Sequence, residues 1–201
     1  MFKTIFFIML FSFTTLLQAE DKGYEILSPA QPVTNPSKIE VIEFFWYGCP
    51  HCYSLEPYIN KWLATKPENV DYIRQPAAFN QQWEDHAKAY FVAETLGVVD
   101  TVHADFFDEI QNQKKKLQTE EQLAGFFIAH GVDKAKFHEI FNSFIVDKKV
   151  RQAKVLPARY GLTGVPALIV NGKYKISAKS AKGQENMIKV LDALIMEETN
   201  K

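Results

Sequence analysis

The chain has 201 residues, 23 of them Lys or Arg against 24 Asp or Glu, for a formal net charge of −1. That length suits one ordinary domain with a sizeable core, and 47% hydrophobic residues with 23% charged fit a globular protein. The near-balanced charge excludes a bulk electrostatic pull toward nucleic acid or an anionic membrane surface.

The N-terminus reads MFKTIFFIMLFSFTTLLQAEDKG. A basic start at Lys3, an apolar stretch over residues 4–17 and the small Ala19 predict a secretory signal at residues 1–19, cut after Ala19. The apolar stretch is short for a membrane span. A secreted chain enters an oxidising compartment, where disulfides persist. Residues 23–27 predict a first short strand, and Pro29, Pro32 and Pro36 an extended connector. Residues 38–45, nearly continuous in Ile, Val and Phe, predict a buried central strand.

The stretch EFFWYGCPHCYSLEP follows, with the chain's two cysteines, Cys49 and Cys52. A bridge between them closes a very small loop and removes little chain entropy, so chemistry explains the pair better than stability does. Zinc sites usually need two such pairs, and covalent haem attachment needs His after the second Cys, where Tyr53 stands. Dithiol–disulfide exchange remains. Pro50 suits the first position of a helix with Cys49 as its N-cap. There the free N–H groups and the helix dipole favour a thiolate, and His51 adds a charge or a donor. Cys52, further in, is the expected resolving thiol.

Leu55, Tyr58, Ile59, Trp62 and Leu63 continue that helix, with a kink expected at Pro57. VDYIRQP, residues 70–76, predicts the next strand. A helical block follows. One helix carries Trp83, Ala87, Tyr90 and Phe91 and stops at Gly97. A second carries Val102, Phe106, Phe107 and Ile110 and ends near Lys114, Lys115 and Lys116. A third opens on a Thr119–Gln122 capping box and stops at Gly131. Asp133 is expected to cap a helix whose stripe runs through Phe137, Ile140, Phe141, Phe144 and Ile145. Another helical stretch is expected through Val150 and Ala153 toward Tyr160, disturbed by Pro157. VPALIVNGKYKI predicts a hairpin turning at Asn171–Gly172, and Met187, Ile188, Leu191, Leu194 and Ile195 a closing helix. His86, His103, His130 and His138 share no ligand spacing, so no metal is assigned.

FWYGCPHC, together with TGVPALIVNGKY, resembles the DsbA family of bacterial periplasmic disulfide oxidases, and the likeness covers nearly all of the chain after the signal. The resemblance implies an α/β thioredoxin fold with an inserted all-helical domain. Residues 20–80 would form the first part of the thioredoxin-like domain, 81–150 the insertion and 151–201 the second part. It implies a cis peptide at Val165–Pro166, in a loop that offers backbone groups to substrate. It implies that Glu43 is a buried acid under the active helix with Arg74 as its basic partner. Many members carry Lys at that position, and Arg, effectively always charged, argues against a proton relay through it.

The function expected is a thiol:disulfide oxidoreductase that donates the Cys49–Cys52 disulfide to newly secreted proteins with free thiols. The redox centre is intrinsic, with no bound cofactor, and a quinone-linked membrane oxidase like DsbB is the expected reoxidant. No nucleic-acid partner and a monomeric state are expected. The rival readings are a disulfide isomerase or reductase, a peptide-binding chaperone and a metallochaperone.

Overall fold

The computed structural model describes residues 22–201, and the expected signal at residues 1–19 lies outside them. Five strands form one mixed sheet in the order β1-β5-β4-β2-β3. They are β1 (Glu25–Ile26), β2 (Ile39–Phe45), β3 (Val70–Pro76), β4 (Ala167–Val170) and β5 (Tyr174–Ser177). The pair β2–β3 is parallel and therefore needs a crossover, which α1 (Pro50–Leu63) supplies. The other pairings are antiparallel.

Strand β2 is buried at all seven residues. Its period-two alternation splits it between two cores. Ile39 and Val41 pack with Leu55, Ile59 and Trp62 of α1 and with Leu191 and Leu194 of α7 (Gln184–Thr199). Ile42 and Phe44 pack on the other face with Tyr160, Leu162 and Ile169. Glu43 falls on the α1 side, and the β2–β3 register sets it opposite Arg74.

Five helices lie between β3 and β4: α2 (Gln81–Leu96), α3 (Val99–Gln111), α4 (Glu120–Ala129), α5 (Lys134–Phe141) and α6 (Phe144–Arg159). Gly97 ends α2 in the left-handed conformation, and the Thr119–Gln122 capping box opens α4, both as expected. Helix α3 ends at Gln111, short of the lysine run. Lys114 beyond it takes a left-handed turn and Lys115 folds back to pair with Glu109 at 2.9 Å.

Asp133 caps α5 and Phe137 and Phe141 form its buried face, but the stripe expected through Ile145 is cut short. Helix α5 stops at Phe141, and the Ser143 side chain accepts the Val146 N–H as the N-cap of α6. The chain turns there, so Phe144 and Ile145 face solvent at 74% and 54% exposure. Helix α6 then runs unbroken through residue 150 to Arg159, with Pro157 in its last turns. Pro157 cannot donate to the Ala153 carbonyl one turn back. That carbonyl instead accepts the Ala78 N–H at 3.2 Å, tying the end of the helical block to its beginning.

The β4–β5 hairpin turns through Asn171, Gly172 and Lys173, with Asn171 and Gly172 both at positive φ (52° and 65°). A Cβ on Gly172 would lie 2.1 Å from the Gln31 carbonyl oxygen, whose own N–H donates to the Gly172 carbonyl. Gly172→Ala is therefore expected to lower stability by about 2 kcal/mol or more, through left-handed strain and loss of that connector contact. Urea denaturation checks it: the midpoint should fall while the m-value stays unchanged.

Candidate active site

The site stands where the buried end of β2 leaves the sheet and turns into α1. The Trp46 carbonyl accepts the Cys49 N–H at 2.9 Å, which closes a turn over residues 46–49. Cys49 is the N-cap of α1, and Pro50 is its first residue. Both cysteines are in the dithiol form. Cys49 is 8% exposed, Cys52 is fully buried, and Pro50 and His51 face solvent.

The Cys49 Sγ does what an N-capping oxygen would do, accepting the Cys52 N–H at 3.3 Å. The Cys52 thiol, the backbone N–H groups of Cys52 and His51, and the His51 ring all favour its thiolate. They outweigh burial and lower the Cys49 thiol from 9.0 to about 6. Burial pushes the Cys52 thiol the other way, well above its ordinary value. One sulfur thus favours the thiolate at neutral pH at the edge of the buried region, while the other is held protonated and fully enclosed.

The Val165–Pro166 peptide is cis, and the Val165 carbonyl lies 3.5 Å from the Cys49 sulfur. An open groove of about 520 Å³ runs from there between His51, Leu162, Ser177 and Lys179. Gln184 at the start of α7 donates to the His51 carbonyl at 2.5 Å and to the Ser54 hydroxyl at 2.8 Å, tying α7 to the first turn of α1.

Glu43 is fully buried, and its Oε2 lies 3.5 Å from Arg74 Nε. Arg74 reaches further than its expected partner: its terminal nitrogen is 3.2 Å from Glu56 and 3.1 Å from the Asn60 amide oxygen. Glu56, His103, Tyr47 and Tyr72 complete the cluster, and the sequence reading did not single them out for the site. Two signals were there. Glu56 follows Cys52 at i+4, on the inward face of α1, and His103 sits on the Val102–Phe106–Phe107 stripe. Among the described residues no group of three or more His, Cys, Asp or Glu side chains is placed to hold a metal ion.

The model for the DSBA-like thioredoxin domain matches residues 68–194. The thiol:disulfide interchange protein DsbA of Pseudomonas syringae pv. tomato is 45% identical over 177 residues, covering 88% of this chain and 83% of that protein. The chain belongs to the DsbA family. The crystal structure of Pseudomonas aeruginosa DsbA superimposes with a TM-score of 0.85 at 44% identity, over 89% of this chain and 93% of that one. The oxidoreductase DsbA of Xylella fastidiosa gives 0.83 at 28% identity, over 89% and 96%. This DsbA family member is a thiol:disulfide oxidoreductase with the thioredoxin-like DsbA fold.

Two measurements follow from the lowered Cys49 thiol. The rate of iodoacetamide alkylation should rise through a midpoint near pH 6, with Cys52 reacting far more slowly. The folded pKa lies below the unfolded one, so the stabilisation of the folded dithiol form is complete above the ordinary thiol value of 9.0. It fades as pH falls through about 6. Thermal melts of the dithiol and disulfide forms should therefore diverge from pH 6 to 9, with the dithiol form gaining.

Proposed function

We propose that this protein oxidises newly secreted proteins in the periplasm by giving them its Cys49–Cys52 disulfide. A substrate thiolate attacks the Cys49 sulfur and the bond to Cys52 breaks. Cys52 leaves as a thiolate and takes up a proton. The substrate's second thiolate then attacks its own sulfur in the mixed disulfide, and Cys49 departs as a thiolate. The substrate has lost two electrons and the enzyme has gained them. The observation that carries this reading is the Cys49 sulfur held against the Cys52 N–H at the N-terminus of α1. A stabilised thiolate is a good leaving group, and it favours the dithiol product over the disulfide.

In this reading Pro50 and His51 tune the thiolate, and Val165 and Pro166 meet the substrate backbone along the neighbouring groove. Glu43 and Arg74 form a buried acid–base pair beneath the active helix. The partners are unfolded secreted proteins with free thiols. A quinone-linked membrane oxidase of the DsbB kind restores the disulfide, and no bound cofactor takes part. Residues 1–19 act as a signal cut after Ala19, and the mature chain works as a monomer.

Equilibration with a glutathione buffer at pH 7 tests the direction of transfer. The expected potential lies between about −120 and −180 mV, toward the oxidising end that DsbA itself occupies, whereas a value near about −270 mV would make the protein a reductase. Cys49→Ser should abolish oxidation of a reduced model substrate. Cys52→Ser should retain single-thiol exchange through Cys49 while losing turnover.

A further inference from the structure

Below the cysteines the polar groups join into one buried chain. It runs from Glu43 through Arg74 to Glu56. From there Glu56 Oε1 faces His103 Nε2 at 3.4 Å, and His103 Nδ1 meets the Tyr47 hydroxyl at 2.8 Å. The Tyr72 hydroxyl donates to Glu43. Glu43 is 0% exposed, Tyr47 2%, His103 5% and Glu56 7%.

One guanidinium serves two carboxylates here. Full ionisation would leave an uncompensated negative charge in a low-dielectric interior, and a buried cluster avoids that by keeping a proton. Glu43 and His103 are the candidates to hold it. The other groups facing the cluster do not compete. Tyr72, Tyr47 and the nearby Tyr90 phenol are all pushed upward by burial and stay neutral. Cys52 is likewise held neutral, and Asp100 acts on His103 only through its charge.

Tyr47 decides between the two. Among the described residues, His103 Nδ1 is the partner of its buried hydroxyl. The hydroxyl proton then goes to Nδ1, which leaves the ring N–H on Nε2, toward Glu56. An imidazolium would carry N–H on both nitrogens and strand the Tyr47 proton in the core. The rings of Phe45 and Phe107 also enclose His103, with centroids at 5.4 and 5.2 Å, and keep water from its charge.

We infer that His103, fixed by Tyr47 as a neutral imidazole whose N–H sits on Nε2 facing Glu56, is a positioning residue that places the cluster's proton on Glu43. The electrostatics run the same way. Burial holds His103 below its ordinary range. Burial alone would raise Glu56, but the His103 and Arg74 contacts reverse that and keep it ionised. Burial, and then the charge on Glu56, raise Glu43 from 4.5 to about 7. The charge on Glu43 opposes ionisation of Cys52. A proton on Glu43 therefore eases formation of the Cys52 thiolate. That last consequence rests on the disulfide-exchange reading; the location of the proton does not.

The test is a 13C NMR titration of the Glu43 side-chain carboxyl in the dithiol form of the full-length mature protein. The wild-type, Tyr47→Phe, His103→Leu and Tyr90→Phe proteins are compared. Wild-type Glu43 should titrate near pH 7. Tyr47→Phe frees Nδ1 to take the proton, and His103→Leu sends it to Glu56. Both should lower the Glu43 midpoint by at least about one pH unit, a tenfold change in its proton equilibrium. Tyr90→Phe trims the same aromatic cage without touching the Tyr47–His103 bond and should leave the midpoint in place. The inference is overturned if wild-type Glu43 is ionised by pH 6. It is equally overturned if folded Tyr47→Phe protein titrates like wild type, or if Tyr90→Phe shifts the midpoint as much as Tyr47→Phe does. The readout needs no turnover, so it stands apart from the glutathione equilibrium.

Discussion

A strand buried on both faces must bury whatever its sequence contains, and β2 contains two glutamates. Each is accommodated differently. Glu40 accepts the Thr34 N–H at 2.9 Å, from the proline-rich connector that precedes the strand. Glu43 lies on the opposite face, under α1, where Tyr72 and Arg74 of β3 meet it. The position of β3 depends on this: the parallel register sets Arg74 and Tyr72 beside Glu43. The position of α1 depends on it too, because Glu56 shares the same guanidinium.

Helix α1 therefore has charge requirements at its tip and along its inner side. At its N-terminus, unpaired N–H groups hold a sulfur anion. A few residues on, its inward face presents a carboxylate to a core that would reject it unpaired. The aromatic residues that leave β2 join the two regions. Phe45 and Tyr47 pack edge-on at 5.1 Å, and Gln111 of α3 donates to the Tyr47 carbonyl at 2.7 Å. The helical block thus braces the segment that carries the nucleophile as well as covering it.

What the sequence made legible was local. The Cys49 cap, Pro50 at the helix start, the Thr119–Gln122 box, the Asn171–Gly172 turn and the extent of β3 each depend on a few adjacent residues. Burial of Glu43 was legible through the apolar run around it and the family likeness. What escaped depends on contacts between distant residues. His103 meets Tyr47 from 56 positions away, and Gln184 reaches His51 across 133. No spacing rule reports such pairs. The failed stripe at Phe144 and Ile145 has the opposite cause. Helical periodicity was present, but one serine at residue 143 offered the backbone a cap, and the chain turned before the pattern could matter.

The hydrogen bond from Ala78 to the Ala153 carbonyl gives the helical block the geometry of a stem-loop. Its two strands of entry and exit touch at the base, so the sheet beneath experiences the whole block as if it were a tight turn. Closing such a loop costs the host little more than closing a short one, because the entropic cost grows only with the logarithm of length. A thioredoxin-like sheet can in this way carry a large helical cap without surrendering its own strand order. Pro157, by declining to donate within its own helix, supplies the free acceptor at the point where the loop is tied.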